Sequence, residues 1–160
     1  MRVACLYRTV SEDAALVVAG TIPIDLLAQE RKEIYLQSSE LGLVDAAEQV
    51  RERTIGRWQQ RWDASPKGPW ARLLIQDLGQ WSSRRQGKVT FYLTQFQTGH
   101  WYFRKYLFRM RKVGSPHCLL CSAAEDDVLH TFFVCDYFAD ERRGVERAIA
   151  DSITPENFVG

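Results

Sequence analysis

The sequence predicts a mainly α fold, in which a helical bundle-like region is followed by a small C-terminal knuckle. Apolar residues recur at helical spacing between glycine and proline breaks along most of the chain. Hydrophobic residues make up 46% and charged residues 26% of the 160 residues, which is typical of a folded globular chain. Three of the four cysteines lie close to a histidine near the C-terminal end, which favours a metal site over disulfides. The length suits one ordinary domain or two very small ones.

Helix start and stop signals define the first three helices. Ser11, followed by two acidic residues, is typical of an N-cap, and Gly20 is a typical stop. Pro23 suits the first turn of a second helix, and Gly42 separates that helix from a long third one. We therefore predict helices over residues 11–19, 23–38 and 43–63.

The later elements are shorter. Residues 65–69 have the sequence Ser-Pro-Lys-Gly-Pro and predict a loop, and residues 79–87 predict a basic connector. Residues 89–92 are rich in strand-favouring side chains, but the helical neighbours favour a helix there. The remaining helices are predicted over residues 69–78, 88–98, 100–112, 126–135 and 137–150.

The charge of the chain is unevenly distributed. The net charge is +1, but residues 1–50 have four basic and eight acidic side chains, residues 51–112 have fourteen and three, and residues 113–160 have three and nine. All five tryptophans also lie in the basic middle block. Basic side chains neutralise phosphates and flat rings stack on bases, so this block is suited to nucleic-acid binding. A helical core whose solvated faces are basic is the commoner explanation of such a pattern in an arbitrary protein.

Three arginines of the long third helix recur every four residues and so share one face. Together with cations of the later segments they are the candidates for phosphate contacts. Trp58, Trp62 and Trp101 are candidates for base stacking, although core packing is expected for at least half of the tryptophans. The candidate cations are Arg53, Arg57, Arg61, Arg84, Arg85, Lys105, Arg109 and Lys112.

The cysteine–histidine cluster has the pattern C-x2-C-x8-H-x4-C, formed by Cys118, Cys121, His130 and Cys135. A C-x2-C turn brings two thiolates within reach of one tetrahedral zinc ion, and a following histidine and cysteine can complete the site. Four protein ligands leave no open position, so one structural Zn2+ is predicted. The alternatives are buried reduced cysteines beside a core histidine, or His117 as a ligand in place of His130.

These residues resemble a known family. The stretch Thr98-Gly99-His100 leading through an aromatic helix into the knuckle resembles the C-terminal end of non-LTR retrotransposon polyproteins. Five short stretches near the N-terminal end resemble the segment that follows the reverse transcriptase domain in the arthropod type-one class of these elements. They are residues 7–11, 14–16, 19–20, 22–27 and 30–31. The resemblance covers residues 6–143. It implies a region 1–64 after the reverse transcriptase domain, a basic tryptophan-rich segment 65–113, a zinc knuckle 114–143 and a tail 144–160.

The resemblance implies a parent protein with an endonuclease and a reverse transcriptase, which copies element RNA at a nicked chromosomal target. This chain matches neither catalytic domain. Its only approach to the polymerase aspartate motif is Phe138-Ala139-Asp140-Glu141, which lies beyond the knuckle. The gap of eight residues between Cys121 and His130 also differs from the four of retroviral knuckles. We therefore expect the chain alone to catalyse nothing, and retroviral RNA recognition cannot be transferred to it.

The expected function is a non-catalytic nucleic-acid-binding region that holds template RNA or target DNA. The expected partners are RNA or DNA and the reverse transcriptase domain of the same polyprotein, without a small-molecule substrate. No apolar run approaches a membrane span, so no membrane contact is expected. The resemblance implies an intracellular, nuclear location. The main alternative is a zinc-stabilised scaffold module that docks on the polymerase. An enzymatic role is disfavoured because His100 and His117 have no obvious nucleophile, and a decayed reading frame without a function stays open.

Overall fold

The computed structural model describes residues 6–84 and 90–158, and it confirms the mainly α fold. No strand occurs in these two ranges. The helices are α1 (Glu12–Ala19), α2 (Ile24–Leu41), α3 (Leu43–Ala64), α4 (Pro69–Leu74), α5 (Leu78–Ser83), α6 (Phe91–Thr98), α7 (Arg104–Arg109) and α8 (Ala139–Ile149). A π-helical turn (His130–Val134) and a 3-10 turn (Asp136–Phe138) precede α8. Within the same ranges, no helix has both the length and the apolar character needed to span a membrane.

The described chain divides into two compact units. Residues 11–84 form unit 1, and residues 6–10 with 90–158 form unit 2. These bounds differ from the four segments expected from the sequence, which remain a prediction about functional organisation.

Unit 1 is built around an antiparallel hairpin of α2 and α3. Gly42, at φ +80°, is the single residue between the two helices. The core consists mainly of apolar side chains from α1, α3, α4 and α5, together with Leu26 of α2 and Ile75, and two indole N–H groups are satisfied within it. Trp62 donates to the carbonyl of Ile75 at 2.9 Å, and Trp81 donates to the carbonyl of Val17 at 2.6 Å. Trp58 and Trp62 are 2% and 1% exposed, so their proposed role as stacking platforms is wrong.

The first helix follows its sequence signals closely. Ser11 is the N-cap, and its hydroxyl accepts a hydrogen bond from the backbone of Ala14. Gly20 adopts φ +62° at the C-terminal end, where a left-handed residue closes the helix. A basic connector was expected over residues 79–87, but residues 79–83 belong to α5. Asp77 caps that helix by accepting from the backbone of Gln80 at 2.9 Å.

Unit 2 has shorter elements and an aromatic core. Phe96 of α6 packs against Phe132 and Phe158, with ring centroids 4.6 and 4.5 Å apart. The helix expected over residues 88–98 is observed from Phe91 onward, while residues 88–89 lie outside the described residues. The helix expected over 100–112 is limited to α7, since the backbone of Trp101 and of Arg111 has positive φ. The helical piece expected over 126–135 is observed over residues 128–134, and its last five residues form the π-helical turn.

Candidate metal centre

The four predicted ligands lie together in unit 2. Their ligand atoms, three Sγ and one imidazole nitrogen, all lie within 4.8 Å of one another. The Sγ atoms of Cys118 and Cys135 are 4.0 Å apart, and the Sγ of Cys121 lies 3.2 Å from Nε2 of His130. Cys118 and Cys135 are buried, whereas Cys121 and His130 are half-buried. The cluster is therefore closed on one side by the fold and approached by water on the other.

A tight turn positions the first two cysteines. The backbone N–H of Ser122 donates to the carbonyl of Cys118 at 3.1 Å, and the N–H of Cys118 donates to the carbonyl of Ala123 at 2.9 Å. Ser122 adopts φ +61°, a left-handed conformation that reverses the chain after the second cysteine. These contacts bring the thiols of a C-x2-C sequence to the same side of the turn.

The π-helical turn positions the other two ligands. The N–H of Cys135 donates to the carbonyl of His130, five residues earlier, at 2.7 Å. Oδ1 of Asp127 accepts from the backbone N–H of His130 at 2.9 Å and fixes the start of the turn. Single π turns inside helical segments are frequent at functional sites, and here the turn accommodates the four-residue spacing between His130 and Cys135.

The donor set fits a tetrahedral zinc ion. Zn–S bonds of about 2.3 Å place tetrahedral ligand atoms roughly 3.8 Å apart, close to the sulfur separation found here. Three thiolates with one imidazole are a common donor set of structural zinc sites. The geometry thus supports a site for one metal ion held by four protein ligands. His117 is exposed and lies outside the cluster.

The thiols of the metal-free cluster differ in acidity. Burial tends to raise the pKa of Cys118, but hydrogen bonds from the backbone of Leu120 and Cys121 and from the His130 and Cys121 side chains outweigh it, and the pKa falls. Burial raises the pKa of Cys135, and the neighbouring Cys121 and Cys118 raise it further. A bound cation removes this difference, since it coordinates thiolates and not thiols.

Sequence reasoning missed Asp126, which connects the cluster to α7. Its Oδ1 accepts from the Thr131 hydroxyl at 2.7 Å, and its Oδ2 accepts from the backbone N–H of Arg104 at 3.1 Å. Its backbone donates to the carbonyl of Pro116 at 2.8 Å and accepts from the N–H of Lys105 at 2.9 Å. An aspartate next to two other acids gives no sequence signal for this role, because the partners lie up to 22 residues away.

The predicted phosphate-binding arginines of α3 contact carboxylates of α2. Arg57 pairs with Glu33 at 2.6 Å, and Arg61 pairs with Asp25 at 3.1 Å. Arg53 donates to the amide oxygen of Gln37 at 2.9 Å and lies 3.7 Å from Glu33. The three guanidinium groups share one face as predicted, but that face is lined with acids of the neighbouring helix.

The other predicted cations have varied surroundings. The guanidinium of Arg84 lies 3.0 Å from the ring centroid of Trp81, and that of Arg109 lies 5.3 Å from the ring centroid of Tyr106. Lys105 contacts Glu125 at 2.5 Å and Asp127 at 3.1 Å, and the hydrogen bond to Glu125 is the main reason why the pKa of Lys105 is raised. Lys112 is exposed, and Arg85 lies outside the described residues.

Comparisons with known proteins identify homologues over most of the chain. The Pol polyprotein of the type-1 retrotransposable element R1 4 of Nasonia vitripennis is 28% identical over 151 residues, 85% of this chain and 38% of the relative. The R1 2 polyprotein of the same wasp is 27% identical over 176 residues, 98% of this chain and 43% of the relative. The R1 polyprotein of Bradysia coprophila is 28% identical over 84% of this chain and 15% of its own length.

No family model matches the chain, and no solved structure matches it. The chain thus spans about two fifths of the Nasonia relatives, and it contains the cysteine–histidine cluster on which the sequence resemblance depends. The predicted resemblance is confirmed: over most of its length the chain is similar to a part of the Pol polyproteins of insect type-1 retrotransposable elements.

Proposed function

We propose that the chain is a non-catalytic nucleic-acid-binding segment of a retrotransposon polyprotein. It would hold template RNA or target DNA during target-primed reverse transcription, inside the nucleus and next to the reverse transcriptase domain. The observation that carries the proposal is a group of exposed cations without carboxylate partners around the end of α7. Homology to Pol polyproteins supports the retrotransposon setting.

The cations of unit 2 belong to a stretch of sequence without acids. Residues 6–10 and 90–112 contain six basic side chains and no aspartate or glutamate. In the described ranges, Lys105 forms ion pairs with acids of the knuckle, whereas Arg8, Arg109, Arg111 and Lys112 have no carboxylate within salt-bridge distance. These four cations are therefore not neutralised by a carboxylate of the described chain, and they can contact phosphates.

In this proposal the metal site acts as a clamp for the basic segment. Cys121 and His130 flank the loop that contains Asp126, and Asp126 holds the backbone of Arg104 and Lys105 at the start of α7. One structural Zn2+ on Cys118, Cys121, His130 and Cys135 would thus fix the position of Arg109 and Lys112. The ion would supply rigidity and no chemistry, because four protein ligands leave no position for a substrate.

The test is a salt titration of binding to labelled single-stranded RNA and duplex DNA, followed by fluorescence anisotropy. The double variant Arg109→Ala/Lys112→Ala is expected to bind more weakly and to lower the slope of log Kd against log salt by about 1 per lost phosphate contact. The matched variant Arg57→Gln/Arg61→Gln removes two arginines that are paired with acids, and it tests the α3 face. An unchanged slope for the first variant would remove α7 from the site, and absence of binding at low salt would refute the proposal.

The alternative scaffold function has one observation in its favour. The turn between α2 and α3 exposes apolar side chains in unit 1, where Val44 is 77%, Leu43 is 67% and Leu41 is 42% exposed. A partner for this tip would be the reverse transcriptase domain of the same polyprotein. The scaffold function would be favoured if the chain binds that domain, if the variant Leu43→Gln/Val44→Gln does not, and if the chain has no affinity for nucleic acid.

A further inference from the structure

Unit 2 presents a connected group of partly exposed aromatic rings, which we call the aromatic platform. It consists of Tyr7, Phe91, Tyr92, Trp101 and Tyr102. Neighbouring rings meet at steep angles: centroids are 5.3 Å apart for Tyr92 and Trp101, 5.6 Å for Trp101 and Tyr102, and 5.7 Å for Phe91 and Tyr92. Tyr102 is 74%, Tyr92 is 66% and Phe91 is 39% exposed. Much of the ring surface therefore remains open to solvent, although each ring is supported by a neighbour.

A strained turn holds the platform in place. Trp101 adopts φ +104°, a strained conformation that a bulky side chain rarely takes. The preceding residues keep the turn fixed. Gly99 closes α6 at φ +67°, and the ring of the buried His100 lies 2.7 Å from the carbonyl of Thr98 through its Nδ1. Strain of this kind persists only where the surroundings impose it, and it is found most often at functional sites.

His100 anchors the turn from a buried position. Burial lowers its pKa from 6.5, and the charge of Arg109 lowers it further, while carbonyls of Thr98 and Thr9 oppose the shift. The imidazole packs on Tyr106 at 4.8 Å and stacks on Tyr7 at 6.3 Å. The contacting rings therefore continue from the platform through His100 to Tyr106 of α7, close to the cations at the end of that helix.

The charge around the platform selects its partner. Arg8 follows Tyr7 in the chain, and Arg109 lies over Tyr106, whose ring is 6.2 Å from that of Tyr7. The segments that supply the platform contain no acid. Exposed rings flanked by unpaired cations match a single strand, which offers bare base faces and phosphates together. A duplex covers its base faces, and a protein partner of apolar chemistry would gain nothing from the cations.

We propose that the aromatic platform stacks on unpaired bases, so that unit 2 prefers single-stranded over duplex nucleic acid. Tyr92 and Tyr102 are the principal stacking rings, and Trp101 is the rigid ring between them. Arg8, Arg109 and Lys112 contact the phosphates of the same strand. This inference rests on the proposed nucleic-acid function and names the form of nucleic acid that it involves.

The test compares three probes of equal length: a labelled RNA of about 12 nucleotides, which is within the span of one small single-strand-binding fold, the same backbone with abasic positions, and the corresponding duplex. The full chain, loaded with zinc, is expected to bind the RNA more tightly than either of the two control probes at the same salt. Tyr92→Ala/Tyr102→Ala is expected to lose about fivefold in affinity per lost stack for the RNA only. Its affinity for the abasic probe and the duplex should remain unchanged.

Three further variants make the outcome specific. Tyr35→Ala removes a tyrosine that is 80% exposed in unit 1 and serves as the matched control. Tyr92→Phe/Tyr102→Phe keeps the rings and should keep the RNA affinity. Arg109→Ala/Lys112→Ala should weaken all three probes alike. Equal binding of RNA and abasic strand, with no effect of the tyrosine variants, would overturn the platform and leave the proposed function standing. Failure to bind any probe would overturn both.

Discussion

At the scale of single residues, Asp126 links the metal site to the rest of unit 2. Both carboxylate oxygens accept hydrogen bonds, one from the Thr131 hydroxyl and one from the backbone of Arg104. Removal of the carboxylate leaves a half-buried N–H and a hydroxyl without an acceptor, and each such loss costs about 1–3 kcal/mol. Asp126 therefore contributes more to the stability of unit 2 than its place in an acidic loop suggests.

We predict that Asp126→Ala lowers the free energy of unfolding of unit 2 by roughly 2–3 kcal/mol. Glu125→Ala is the matched control, since Glu125 is exposed and contacts Lys105 through a surface ion pair worth less than about 1 kcal/mol. The measurement is urea denaturation of the zinc-loaded chain under reducing conditions. Equal destabilisation by the two variants would mean that the hydrogen bonds of Asp126 contribute no more to stability than the surface ion pair of Glu125.

At the scale of elements, the junction between α3 and α4 depends on one glycine. Gly68 adopts φ +66° as it enters α4, and a Cβ at this position would lie 3.0 Å from the Cβ of Ala14. Both the left-handed backbone and the contact with α1 therefore oppose a side chain. Gly56 of α3 is the natural comparison, because a Cβ there would meet nothing within 4 Å.

We predict that Gly68→Ala destabilises unit 1 by about 1–3 kcal/mol, through left-handed strain and overpacking against Ala14. Gly56→Ala should instead stabilise it by up to about 1 kcal/mol, since alanine favours an exposed helix interior. The fluorescence of the buried tryptophans follows the unfolding of unit 1 in urea. Similar effects of the two substitutions would show that neither the left-handed backbone nor the contact with Ala14 disfavours a side chain at position 68.

The elements that the sequence predicted well are those fixed by neighbouring residues. Ser11 and Gly20 bound α1 because capping is local, and the C-x2-C turn likewise brings two ligands together without help from distant contacts. Helix α5 was missed because Trp81 anchors it to the carbonyl of Val17, 64 residues earlier. The helical piece expected over 126–135 is observed over residues 128–134, but its π turn, which the bond from Cys135 to His130 defines, was not predicted.

The surroundings of the arginines show the same limit at the candidate site. Spacing placed Arg53, Arg57 and Arg61 on one face of α3, which the structure confirms. Their partners could not be predicted, since Glu33 lies 24 residues from Arg57 and Asp25 lies 36 residues from Arg61. The antiparallel packing of α2 on α3 brings those acids to the arginines. A periodic charge pattern thus identifies a face but does not show what covers it.

At the scale of the whole molecule, the two units differ in what holds them together. Unit 1 has a conventional core in which Val17, Val18, Trp62 and Leu78 are almost fully buried. The stretch 116–135 of unit 2 instead contributes two buried cysteines and a buried valine, and much of its apolar surface is exposed. Leu119 is 74% and Val134 is 58% exposed. A metal ion would replace the missing core, as it does in small zinc-dependent folds.

We predict that the purified chain contains one zinc ion and that its removal by a chelator unfolds only the knuckle. Backbone amides of residues 116–135 should lose their protection in hydrogen exchange, because uncoordinated thiols no longer tie the C-x2-C turn to the π turn. Amides of α2 and α3 should keep theirs, since that hairpin belongs to unit 1 and contains no ligand. Cys121→Ser should reproduce the effect of the chelator without its addition, whereas Cys5→Ser, which leaves the C-x2-C-x8-H-x4-C pattern intact, should not. Exchange rates that are the same with and without zinc would show that the cluster is a set of packed thiols, and loss of protection throughout the chain would show that unit 1 depends on the metal as well.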